Sequence, residues 1–89
     1  MTLSDLADEL LEIRRYVRTH PEYVREQITK PVTRSHGLKT PFADRFAQIV
    51  ANIHVGLACI HHDPEVLRGY LYGAAQEIRA LAAREERAE

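Results

Sequence analysis

Apolar residues recur along this chain at steps of three and four, the spacing of helices that turn one face toward a core. The most apolar stretch is 40–62, TPFADRFAQIVANIHVGLACIHH. Thr40 suits a helix cap and Pro41 the first helical position, where its missing N–H is not needed. Phe42, Phe46, Ile49, Val50, Ile53, Leu57 and Ile60 then fall on one side. Asp44, Arg45, Gln48 and Asn52 take the opposite side, but Val55 and Cys59 join them further on. The second half, 50–60, is therefore apolar nearly all round, which predicts cover on two sides. In a chain of 89 residues, the second cover is expected from another chain.

The other segments are one-sided. Leu3, Leu6, Leu10, Ile13 and Val17 predict a first helix over about 3–18, with acids at its front and Arg14, Arg15 and Arg18 at its back, the order that suits the helix dipole. His20-Pro21-Glu22 marks a new start. A short second helix is expected over 21–29, with Tyr23, Val24, Gln27 and Ile28 as contact residues and Pro31 as its stop. A loop over 30–40 follows. Asp63-Pro64-Glu65 reads as cap, first helical residue and first-turn acid of a helix over 64–84, with a core stripe of Leu67, Leu71, Ala74, Ile78 and Leu81. The fold expected is all-α: one domain over 1–89, a bundle of three long helices and one short one, with helices three and four forming an antiparallel hairpin.

Three glycines interrupt this pattern. Gly56, Gly69 and Gly73 each cost about 1 kcal/mol relative to alanine inside a helix. Either they are simply tolerated, or they allow two backbones to approach closely, within the chain or between two copies. Arg68, Gln76 and Glu77 lie around Gly69 and Gly73, which excludes a membrane reading of the G-x-x-x-G spacing.

Composition changes the picture only modestly. Charged residues at 28% and apolar residues at 45% are ordinary globular values. A single cysteine fits a reducing compartment. No apolar leader and no membrane-spanning run is seen, so a cytoplasmic protein is expected, or one working inside a host cell if phage-encoded. The net charge of −1 hides an uneven spread. Residues 14–45 form the one basic zone: Arg14, Arg15, Arg18, Arg25, Lys30, Arg34, Lys39 and Arg45.

Candidate chemistry is sparse. Cys59 and His62 are zinc-ligand types three residues apart, but a closed site needs four ligands and no second pair has the spacing. His62-Asp63 resembles the dyad of HD-type metal phosphohydrolases. The resemblance covers two residues, lacks that family's further His and Asp ligands, and carries no activity over. Cys59 lies late in its helix, away from the helix N-terminus that activates a thiolate. The carboxylate pairs Asp8/Glu12 and Glu22/Glu26 have the spacing of solvated helix faces. The chain is therefore read as non-enzymatic, with no cofactor.

The function expected is a protein–protein interaction module: a small adaptor, assembly factor or inhibitor. Its partner is a protein, with itself as a homodimer the first candidate, through Val55, Cys59, Gly69 and Gly73. The first alternative is nucleic-acid binding through the basic zone, whose phosphate attraction would be salt-dependent. It lacks aromatic residues interleaved for base stacking. The second alternative is a metal-binding protein or metal-dependent hydrolase using Cys59 and His62.

Overall fold

Leu3, Leu6, Ala7, Leu10 and Ile13 all end buried on one face of a single helix, α1 (Leu3–Arg14). The computed structural model describes residues 3–35 and 43–88, and the side chains of 3–33 and 44–84. Four helices account for nearly all of them: α1, α2 (Pro21–Ser35), α3 (Ala43–Ala58) and α4 (Pro64–Ala88). No strand occurs among the described residues.

The expected first helix over 3–18 is cut at Arg14. From there the backbone tightens into three-residue steps: Arg15, Tyr16 and Val17 donate to the carbonyls of Glu12, Ile13 and Arg14 at 3.2, 3.0 and 3.4 Å. The cause lies just downstream. A residue before proline is pushed out of the helical region, so the chain must leave the helix before His20-Pro21. The turn still keeps Val17 buried at 1% exposure. The His20 carbonyl then accepts the Val24 N–H at 3.1 Å and starts α2.

Helix α2 does not stop at Pro31. It runs to Ser35 with Pro31 inside it, so the expected short helix over 21–29 is a long one, and 30–35 of the expected loop is helical. Proline in a helix interior removes one backbone bond and costs about 3 kcal/mol. Here its ring is fully buried, in a row with Val24, Ile28 and Val32. These four repeat at helical steps, and burial of that face opposes the proline penalty. The expected contact residue Gln27 is half-buried, whereas Tyr23 is 46% exposed, edge-on to Tyr16. The remainder of the loop, 36–40, and the Thr40-Pro41 start of the third helix with Phe42 lie outside the described residues.

Helix α3 ends at Ala58 rather than His62. Cys59 to His62 form turns in which the Cys59 carbonyl accepts the N–H groups of His62 and Asp63 at 3.0 and 2.8 Å. Phe46, Ile49 and Ile53 face the core, Ile60 joins them beyond the helix end, and Val50 and Leu57 are half-buried. Val55 is 53% exposed. The all-round apolar character over 50–60 thus resolves into a buried side and a side left uncovered by the described residues.

Helix α4 is the long element, 25 residues or about 37 Å at the standard rise, beyond the expected end at 84. Asp63 caps it as expected: its carboxylate accepts the Glu65 N–H at 3.2 Å and its carbonyl the Val66 N–H at 3.2 Å. Leu67, Leu71, Ala74, Ala75, Ile78, Leu81 and Ala82 are buried along it. Helix α1 runs beside it in the opposite direction, since Arg18 pairs with Glu65, Arg14 with the Arg68 carbonyl and Asp8 with Arg79. Backbone neighbours are α1 with α4, α1 with α2, α2 with α3, and α3 with α4, so α1 and α3 sit diagonally. Leu6, Leu10, Pro31, Phe46, Ile53 and Ile78 meet at the centre, from all four helices. No polar or charged side chain is buried among the described residues.

Candidate functional site

The glycines separate into two kinds. A methyl group added to Gly56 would stand 2.8 Å from the Leu67 Cα and 3.0 Å from the Tyr70 ring. Only glycine fits there, because α3 meets the first turns of α4 backbone to backbone. Gly69 and Gly73 have the opposite surroundings: a methyl group on either would meet nothing within 4 Å. They border a notch of about 160 Å³ between α3 and α4, together with Ile49, Asn52, Tyr70, Ala74 and Glu77. Val55 follows Asn52 by three residues and so neighbours it on the α3 surface.

Of the interface residues expected from sequence, Gly69 and Gly73 thus share one notch, and Val55 stands exposed on the adjoining helix. Cys59 is a half-buried free thiol in the turn after α3. His62 is exposed in the same turn. Among the described residues, no group of three or more His, Cys, Asp or Glu side chains could hold a metal ion.

The basic residues are dispersed and mostly engaged. Arg14 donates its Nε to the Arg68 carbonyl at 3.0 Å, and its guanidinium lies 5.5 Å from the centre of the Tyr72 ring. Arg15 pairs with Glu12 at 3.3 Å, Arg18 with Glu65, and Arg45 with Glu77. Lys30 reaches Gln27 at 3.3 Å, and Arg25 is exposed on α2. The Arg34 side chain and all of Lys39 lie outside the described residues. Glu65 and Glu77 are twelve positions apart on α4, roughly 18 Å along its axis, so Arg18 and Arg45 are not on one patch. The Arg18 hydrogen bond holds the Glu65 carboxyl below its ordinary range, and Glu65 in turn raises Arg18.

No family model matches this chain, and neither a curated protein nor a solved structure matches it significantly. What the site can do therefore follows from its own geometry. Two of its features were not singled out from sequence. Tyr72 is 51% exposed beside Arg14; its signal is its place off the Leu67-Leu71-Ala74-Ile78 stripe. Asn52 and Glu77 line the notch, and only the register between α3 and α4 reveals that they meet there.

Surface chemistry on this side of the molecule is distinctive. Between Gly69 and Ala80 the exposed positions of α4 are Gly69, Tyr72, Gly73, Gln76, Arg79 and Ala80, and those nearest the notch carry no charge. The charges flanking this uncharged strip are used within the chain, Glu77 by Arg45 and Arg79 by Asp8 at 2.8 Å. Depletion of free charge with an exposed tyrosine is the composition of an interface centre. No helix among the described residues is long and apolar enough to cross a membrane.

Proposed function

We propose that this chain is a non-catalytic protein–protein interaction module, a small adaptor, assembly factor or inhibitor, that self-associates through the outer face of α3 and α4. The observation that carries the reading is the open notch at Gly69 and Gly73. Two glycines inside a helix weaken it by roughly 1 kcal/mol each, and no contact among the described residues requires them. A close approach by a second chain would account for both. The exposed Val55 and the uncharged strip on α4 support the same face.

In this reading α3 and α4 form an antiparallel hairpin that acts as one rigid platform. Its support is a contact close to the connecting turn, Gly56 with Leu67, and another far from it, Arg45 with Glu77. The capped turn at Asp63 and the close crossing at Gly56 hold the two helices at fixed register, so the face needs little ordering on association.

The mass of the chain in solution tests the proposal. Light scattering behind a sizing column is expected to give about twice the 10.2 kDa chain mass at micromolar concentration. A single-chain mass up to high micromolar concentration contradicts self-association.

A further inference from the structure

We infer that two copies pair by seating Tyr72 of each in the notch beside Gly69 and Gly73 of the other. The inference rests on the self-association proposed above and names the residue that anchors it.

Tyr72 has the properties of an anchor. It is 51% exposed, and its ring is steadied by the Arg14 guanidinium at 5.5 Å. Arg14 is itself fixed by its bond to the Arg68 carbonyl. An aromatic side chain already held in place loses little freedom on binding, and tyrosine is among the residues that carry most interface energy.

The notch fits a ring. Its volume is about 160 Å³, and a cavity of about 150 Å³ is enough to hold benzene. Gly69 and Gly73 border it, and a methyl group on either would meet nothing within 4 Å, so only a long side chain such as leucine would reach across it. The chemistry also matches. Among the described residues the Tyr72 hydroxyl has no hydrogen-bond partner, and Glu77 uses Oε1 for Arg45 while Oε2 receives no bond. The hydroxyl is a donor and Oε2 an acceptor. Arg14, carried behind the tyrosine, brings positive charge toward that carboxylate, so the two surfaces are complementary in charge.

The two features are placed for a symmetric pair. Tyr72 lies on the α1 side of α4, beside Arg14; the notch lies on the α3 side, beside Asn52. Both stand at the same height along α4, separated by the Gly69–Gly73 ridge. A two-fold axis parallel to α4 puts each tyrosine opposite the other copy's notch, giving an isologous contact that closes at two chains.

Sedimentation equilibrium on four samples tests this: the unmodified chain, Tyr72→Ala, Gly73→Leu, and an equimolar mixture of the two variants. The unmodified chain is expected to dimerise, and each variant alone to dimerise at least about tenfold more weakly. The mixture is expected to regain much of the lost dimer, because the Gly73→Leu chain still offers Tyr72 and the Tyr72→Ala chain still offers an open notch. Thermal melts followed by circular dichroism confirm that each variant is folded; Asn52→Phe fills the same notch from α3 and replaces Gly73→Leu if that chain does not fold. A dimer indifferent to both substitutions overturns the tyrosine anchor while leaving self-association standing. Two weakened variants whose mixture stays weak also overturn the pairing. An unmodified chain that remains single at every concentration overturns both.

Discussion

A methyl group at Gly56 would press on the backbone of Leu67, which cannot move aside as a flexible side chain can. Gly56→Ala should therefore destabilise the chain by about 1–3 kcal/mol through overpacking. Gly69→Ala and Gly73→Ala should each raise monomer stability by roughly 0.5–1 kcal/mol, since helix propensity improves and nothing is displaced. Urea unfolding of the three variants reads this contrast, and equal effects at all three positions would refute it. Glu65 supplies a second prediction. Its folded pKa is depressed by the Arg18 hydrogen bond, below the ordinary 4.5. A depressed carboxyl stabilises the fold above its unfolded pKa, and that stabilisation disappears as pH falls through the lowered folded value. The melting temperature of the native chain should thus fall more steeply on acidification below about pH 4.5 than that of Glu65→Gln. Parallel acid profiles would show that the pair contributes nothing. The sequence marked Asp63 as a cap, because a cap acts within one turn, and offered close approach as one of two readings for all three glycines. It could not separate Gly56 from Gly69 and Gly73. That separation depends on which side of α4 faces α3, a tertiary fact.

The elements were legible where local chemistry and burial agree. Helix α4 has a cap, a proline at its first position and a continuous stripe, and it forms from Pro64 onward. Helix α2 is longer than expected because one local rule, that proline ends a helix, was set against a longer pattern, Val24-Ile28-Val32 at steps of four. Burial decided for the pattern. The consequence is measurable at Val32, which is 9% exposed in a segment expected to be loop. Val32→Ala removes two carbon groups from that buried face and should cost about 1.5 kcal/mol. A loss below a few tenths of a kcal/mol, usual for surface positions, would mean that 30–35 does not pack as a helix. Helix α1 is shorter than expected for the converse reason. Its apolar stripe does continue to Val17, but a tight turn rather than helix delivers that residue to the core.

Across the whole molecule, the four helices share one apolar centre, and the charges that surround it are largely spent on one another. Arg18, Arg45 and Arg79 each clip α4 to a neighbouring segment through a carboxylate. Such exposed pairs add little stability, but they remove charge from the flanks of the α3/α4 face. What remains there is a notch, an exposed valine and a tyrosine backed by arginine. We propose that a second copy covers this face. The most direct measurement is sedimentation of the unmodified chain and of Val55→Asp over a concentration series from low to high micromolar. The unmodified chain is expected to show a monomer–dimer equilibrium, shifted strongly toward monomer by Val55→Asp with no loss of helix. A single-chain mass throughout the series, or a dimer unaffected by a charge at Val55, would contradict it.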